Sequence, residues 1–257
     1  MNYGISLDID FLLNNLWTFD LEIINIENPM YPGYLSDYEK NQNFCKFMDL
    51  VKNYKTKFVV DAPYIDLNPG SPEPLNQEIT YKRTMQCIEF AKKINAKHII
   101  FLSTFLSNIK IDFYEKGWIS NSIKFWDKIL NQINNDIEIS LCNTFEEFPD
   151  YLLEIAQNFN KKLNISFDIG HFLVYGNISL KEWYSKIKDY LSFVILHSND
   201  GKRDLHLSIT EGNLLKNSGF REIRQDFINS NSKIILKYFD KSYYTYDLTI
   251  IKNYFLN

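Results

Sequence analysis

The sequence is short of cysteine and histidine and has no long stretch of one character, and each shortage removes a class of protein. Three cysteines (Cys45, Cys87, Cys142) with no Cys-x-x-Cys spacing are too sparse for a disulfide scaffold or a four-cysteine zinc site; reduced thiols are expected. No run of about 18 apolar residues occurs, so no membrane-spanning helix and no membrane partner are expected. The opening NYGISLDID lacks the basic-then-apolar pattern of a secretory leader, and the expected location is the cytoplasm. No Lys/Arg block stands out and the net charge is -4, which argues against a dedicated nucleic-acid binder. Linkers rich in Pro, Gly and Ser are missing as well, so 1–257 reads as a single domain.

What is present is a repeating alternation. Hydrophobic residues make up 45% of the chain and charged residues 23%, enough to bury a substantial core. Short apolar runs at 3–7, 21–26, 57–60, 97–103, 137–142, 164–168, 192–197 and 233–239 are near-continuous rather than alternating. That is the pattern of parallel strands covered on their outer face. Segments of helical period lie between and after them, at 8–17, 38–54, 74–94, 117–134, 145–159, 180–189, 219–229 and 246–255. Ser179 with Glu182 three residues on marks one helix start as a capping box. Eight strand-then-helix units in about 250 residues predict an α/β fold, a single (β/α)₈ TIM barrel.

In such a barrel, chemistry gathers at the carboxyl ends of the strands. The predicted sixth strand ends in FDIGH and the seventh in LHSNDGKRDLH, followed by LSITEG. Of four histidines, His171, His197 and His206 fall in these two places, with Asp168, Asp200 and Asp204 beside them. Imidazole nitrogen with anionic oxygen suits a divalent Zn, Mn or Fe ion. Singly, each of these groups could merely cap a strand or hold a loop; together they predict a working site.

These motifs carry a resemblance. The run DAPYIDLNPGSPEPLNQEITYKR, its continuation IEFAKKINAKHIIF, and then CNTFEE, FDIGH, LHSNDGKRDLHLSITEG and IILKYFD resemble, in order, the motifs of strands three to eight of the xylose-isomerase-like sugar-phosphate isomerases and epimerases. The same superfamily includes a branch of apurinic-site endonucleases. The resemblance implies one metal held by a strand-five Glu, the Asp of DxGH, the His of HxND and a strand-eight Glu. Asp168 and His197 match, whereas Cys142 and Lys237 stand at the two Glu positions. The endonuclease branch adds histidines where this chain has Asp61 and Leu102. It also adds a further metal on the His of DxGH and the Asp and His of DxH, matched here by His171, Asp204 and His206.

Charge logic sets the expectations. Lys237 should pair with Asp168 and take the place of the ordinary cation, since an ammonium offers no lone pair. His171, Asp204 and His206 form a two-His, one-carboxylate set for Zn or Fe, with Asp168 and His197 as secondary ligand candidates. Cys142 has three readings: a small buried residue, a thiolate ligand, or a nucleophile activated by Lys237. Arg203, Glu211 and Cys142 are candidate substrate contacts, although Arg203 could equally form a local ion pair. Tyr31, Tyr64, Phe105, Trp118 and Phe172 could wall the site or simply pack the core.

Three functions compete. An isomerase or epimerase acting on a small polyol, keto-sugar or related carbonyl compound would use Lys237, His171 and His197 as electrophile and acid/base, oriented by Asp168. A repurposed barrel would bind without that chemistry, or carry out a different lyase or hydrolase reaction. Endonuclease action on abasic DNA fits least, because the resembling ligand set is altered and the charge is negative. The expected partner is a small-molecule substrate.

Overall fold

A computed structural model describes residues 2–133, 137–230 and 232–256. Eight parallel strands form a closed ring in chain order: β1 (Asn2–Leu7), β2 (Ile23–Ile26), β3 (Lys57–Asp61), β4 (His98–Leu102), β5 (Glu138–Cys142), β6 (Leu163–Asp168), β7 (Leu191–Leu196) and β8 (Lys233–Leu236). β8 returns to β1 with Asn2 opposite Lys233 and Ile5 opposite Leu236, so no strand edge is left open. The helices among the described residues are α1 (Ile9–Asn14), α2 (Tyr34–Asp37), α3 (Gln42–Val51), α4 (Pro74–Lys93), α5 (Asp112–Leu130) and α6 (Asp150–Gln157). They continue with α7 (Ile169–Tyr175), α8 (Leu180–Ile187), α9 (Ser218–Glu222), α10 (Arg224–Asn229) and α11 (Tyr244–Leu256). No helix is long and apolar enough to cross a membrane among the described residues.

All eight strands lie within or close to the runs read from the sequence. The helices differ more. The segment 38–54 contributes only Gln42–Val51 as α-helix, and 219–229 splits into α9 and α10. The helix expected from 145 begins at Asp150, after Pro149. The preceding Glu146 accepts from the Thr144 backbone at 2.6 Å and from the Ser103 hydroxyl, which shapes a loop in place of a first turn. The helix expected over 117–134 starts earlier, at Asp112, and its expected end at 134 lies outside the described residues. Two helices, the short α2 and α7, had no expectation at all.

Alternation along the strands divides the core in two. Residues facing out pack under the helices; Phe167, Phe172 and Trp183 form one such aromatic cluster, with Phe167 and Trp183 stacked at 5.7 Å. Residues facing in, among them Ile100, Phe193, Ile195 and Ile235, fill the barrel axis. Lower in the barrel, part of the filling is polar and hydrogen-bonded. Ser140 lies 2.7 Å from both His98 Nε2 and the Ser166 hydroxyl, while His98 Nδ1 meets Glu138 at 3.2 Å. His98, the histidine left out of the predicted site, is thus a satisfied core residue. Burial, set against the Glu138 contact, lowers its pKa and keeps it neutral. The apolar plug forms a rigid floor for the opposite mouth, where the strands end.

Candidate metal centre at the barrel mouth

The construction of the mouth begins with Asp168, the last residue of β6. Its Oδ1 accepts the backbone N–H of His171 at 3.0 Å, so the residue that ends the strand also caps α7. This places His171 in the first turn of α7, aimed at the barrel axis. The glycine between them is required by space. A Cβ on Gly170 would lie 2.1 Å from Cε1 of His197, the residue after β7, so Asp-x-Gly-His is a strand end, a cap and a cut-out for the neighbouring imidazole. The loop after β7 then doubles back. Ser198 and Leu207 exchange backbone hydrogen bonds at 2.9 and 2.8 Å, returning Asp204 and His206 to the mouth. His206 adopts a left-handed backbone, φ +46°, a strained conformation for a non-glycine residue that such a site can retain.

The result is one compact cluster. Ligand atoms of His171, His197, Asp204 and His206 all lie within 4.8 Å of one another. Asp204 Oδ2 is 3.3 Å from both His171 Nε2 and His206 Nε2, and Oδ1 is 3.9 Å from His197 Nδ1. Asp168 Oδ1 sits 2.9 Å from His197 Nε2. Backbone carbonyls set the tautomers. His171 Nδ1 donates to the Asn143 carbonyl at 2.8 Å, and His206 Nδ1 to the Lys237 carbonyl at 3.1 Å. Once each ring is neutral, its Nε2 lone pair faces Asp204, as outer contacts orient metal-binding histidines elsewhere. The ring of His206 lies 3.7 Å above that of His197, nearly parallel.

These residues fit a divalent ion. Asp204 Oδ1, Asp168 Oδ2 and His197 Nδ1 are buried and lack hydrogen-bond partners, a costly arrangement unless a cation satisfies them. His197 Nε2 also lacks one despite its 2.9 Å approach to Asp168, because the contact is poorly aligned for a hydrogen bond. Three imidazoles and a carboxylate suit Zn, Fe or Mn. The two separate ligand sets expected from the sequence are thereby partly merged: His197 stands with His171, Asp204 and His206.

Without an ion, a proton does part of its work. Burial opposes the charge on His171, but Asp168 and Asp204 outweigh it and raise the pKa to about 9. Burial likewise opposes the negative charge of the two carboxylates, and the surrounding histidines hold both well below the usual range. His206 is kept neutral by burial and by its neighbour His197. The sign for stability follows. A raised histidine pKa stabilises the metal-free fold fully below the unfolded value of about 6.5, and this contribution disappears as pH rises through about 9. The expected loss is on the order of 3 kcal/mol, read as a falling urea midpoint between these pH values. The same proton competes with metal. Zinc affinity is expected to rise about tenfold per pH unit up to the His171 pKa of about 9. An affinity flat from pH 6 to 9 would contradict this account.

Other expected residues fall differently. Lys237 is buried and points into the mouth, but its Nζ lies 2.7 Å from Asp61 Oδ2 rather than against Asp168. Asp168 is already engaged by His197, and the four-carbon lysine stem reaches the end of β3 instead. Cys142 is fully buried in the inner apolar layer, and burial drives its thiol well above the usual pKa. It is a packing residue, not a thiolate, and it does not line the mouth. In native protein, iodoacetamide is expected to modify exposed Cys45 and to spare Cys142 and Cys87, as peptide mass mapping would show.

Arg203 and Glu211 do not line the mouth either. Arg203 is 73% exposed and forks onto Asp200 at 3.1 and 2.9 Å, the local ion pair its spacing allows. Glu211 is exposed and accepts from the Tyr243 hydroxyl at 3.0 Å. Phe105, Trp118 and Phe172 are core residues, whereas Tyr31 and Tyr64 do wall the mouth.

The reading from sequence missed Asn143, whose side chain bonds both the N–H and the carbonyl of Asp168 at 2.8 and 2.9 Å, tying β5 to β6. It also missed Asn199, which donates to the Gly170 carbonyl at 2.7 Å. Both stand inside the quoted motifs CNTFEE and HSNDG, so the signal was present. Above the cluster is a cavity of about 190 Å³ that also reaches Glu27, Leu102, Thr144 and Lys237.

The comparisons agree with this architecture. A D-tagatose 3-epimerase-like protein superposes with a TM-score of 0.79 at 22% identity, over 99% of this chain and 97% of that one. The TTHB071 protein of Thermus thermophilus, from a crystal soaked in ZnCl2, gives 0.80 at 16% identity over 98% and 97%. At these identities the likeness establishes the fold alone. The uncharacterized protein MJ1614 of Methanocaldococcus jannaschii is 29% identical over 211 residues, 79% of this chain and 78% of that protein. Residues 24–249 match the family described as xylose isomerase-like TIM barrel, and with a closed eight-stranded ring behind that match, the chain belongs to this family.

Proposed function

We propose that the chain is a metal-dependent isomerase of small hydroxy-carbonyl compounds, keto-sugars and related polyols among them. The observation that carries this reading is the joining of the His171, His197, Asp204 and His206 cluster to Lys237 and Glu27 in one cavity. A Zn, Mn or Fe ion held by the three histidines and Asp204 would supply a Lewis acid for a substrate oxygen.

The protein's own groups do the rest. Burial disfavours the Lys237 charge, yet Asp61 and Glu27 outweigh it and raise the pKa above its ordinary value. Lys237 therefore remains an ammonium, able to donate to an oxygen that gains charge as a neighbouring proton leaves. Glu27 reaches the same cavity and is held by Lys241 Nζ at 2.7 and 2.9 Å; it is the carboxylate placed to take that proton. Asp168 orients His197 and caps the helix that carries His171. These groups are thus reassigned from acid/base work to ligand and positioning roles. A single carboxylate base returns the proton to the face it left. That favours moving a carbonyl along a chain over inverting a centre, which needs bases on both faces.

The test is proton NMR in D2O of a ketose panel with zinc- or manganese-loaded protein. Metal-dependent exchange beside the carbonyl, lost in Glu27→Gln, is expected. Binding with no exchange would overturn the isomerase reading and favour a repurposed barrel, a reading supported by the Lys237–Asp61 ion pair inside the mouth.

A further inference from the structure

We infer that the substrate of this site is an uncharged hydroxy-carbonyl compound with an apolar ring or alkyl body, rather than a phosphorylated sugar. The inference rests on the isomerase reading and narrows it. Three observations carry it.

The first concerns anion anchors. A bound phosphate needs an uncommitted cation, or a helix N-terminus offering free N–H groups. Among the described residues lining the cavity, Lys237 is the one ammonium, and Asp61 engages it at 2.7 Å. Arginine does not contribute, and Arg203 is occupied by Asp200 outside the cavity. The helix that begins at the mouth, α7, has its N-terminus already capped by Asp168. The carboxylates of Glu27 and Asp204 line the same cavity and repel a phosphate dianion, so beyond the cluster the described lining offers it no uncommitted cation.

The second concerns hydroxyl partners. A buried polyol needs a hydrogen-bond partner for each hydroxyl. Here Glu27 is bound by Lys241, the Thr144 N–H donates to Glu146, and the Tyr238 hydroxyl accepts from the Ile209 backbone at 3.3 Å. Apart from Lys237, Glu27 and the cluster, which serve the hydroxy-carbonyl end, the Thr144 hydroxyl and the phenols of Tyr31 and Tyr64 remain among the described lining residues, and each phenol sits on a large apolar ring.

The third is the wall itself. Met30, Tyr31, Tyr64, Leu102, Phe145 and Phe239 present carbon to the cavity. Tyr31 is 67% exposed and Phe239 72% exposed, although burial is the ordinary fate of such rings. Phe239 lies tilted against His206 at 4.7 Å, and His206 is stacked on His197, so the apolar rim runs directly into the cluster. A ligand whose polar end reaches the cluster places its body against these rings, and aromatic rings exposed in this way recover the contact area they lack.

The test uses the zinc-loaded protein and three probes: 2-hydroxyacetophenone, fructose and fructose 6-phosphate. Binding is followed by saturation-transfer NMR and titration, and exchange by deuterium incorporation. The aryl ketone is expected to bind at least about tenfold more tightly than fructose 6-phosphate. Tyr31→Ala, an exposed site away from the cluster, is expected to weaken that binding about tenfold with zinc content unchanged; Phe239→Ala is the second variant. Equal or tighter binding of fructose 6-phosphate, no binding of any probe, or affinity for the aryl ketone untouched by both variants overturns the inference. The two readings separate cleanly. Aryl ketone binding without exchange removes the isomerase and leaves the substrate class; exchange confined to fructose 6-phosphate does the reverse.

Discussion

Replacing Asp204 with Asn is expected to lower zinc affinity by on the order of 100-fold or more. Asp204 is the carboxylate that contacts His171, His197 and His206, at 3.3, 3.9 and 3.3 Å. Asparagine keeps the shape, so the barrel should fold, but it removes the anion that offsets a cation's charge. Calorimetric titration of zinc into wild type and variant measures the effect. A second readout separates ligation from mere positioning. Asp204 is among the groups that raise the His171 pKa to about 9 against burial, so the metal-free variant should titrate His171 at lower pH by NMR. Unchanged zinc affinity together with an unchanged His171 titration would show that the cluster is not held together by Asp204, and the metal-centre reading would fall with it.

The second large effect concerns Lys237. Lys237→Ala is expected to cost about 3–5 kcal/mol of folding stability, because it leaves the Asp61 carboxylate buried without a partner. The pair is deeply enclosed, with 8% and 5% of the two side chains exposed and 2.7 Å between charges. Replacing both residues, Lys237→Met with Asp61→Leu, should restore most of that loss, since an apolar pair needs no charge compensation. Urea unfolding of the two single variants and the double variant gives the coupling directly. If Lys237→Ala changes stability by less than about 1 kcal/mol, the ion pair is not a structural element of the mouth. The double variant should also lose the proposed isomerase activity while its zinc affinity is unchanged, because Lys237 lies outside the cluster.

These two residues also show where reading a linear sequence works and where it stops. The period of apolar runs gave eight strands and the closed ring, because burial on both faces leaves a local signature in each strand. Asp168, His171, His197, Asp204 and His206 could be picked out because strand ends in a barrel of this kind share one mouth, and three of the four histidines sit at two of them. Helix α7 was missed because its signal, an aspartate cap followed by glycine, looked like catalytic punctuation only. Glu27 was missed because a glutamate after a strand followed by Asn-Pro carries no local mark of facing inward. Cys142 stood open between a buried residue, a thiolate ligand and a nucleophile, because residue type does not say which layer a strand residue occupies; it lies in the inner apolar layer.

Local order along the chain thus determined the barrel, the end of it that carries the polar cluster, and the histidines and aspartates that gather there. What only the folded ring decided was pairing: Lys237 with Asp61 rather than Asp168, His197 with the other histidines, Arg203 with Asp200 outside the mouth. The reason is physical. Strand identity is set by burial that each segment experiences by itself, whereas partner choice depends on side-chain reach and on which neighbour has already claimed a carboxylate, quantities that exist only once eight strand ends face one another.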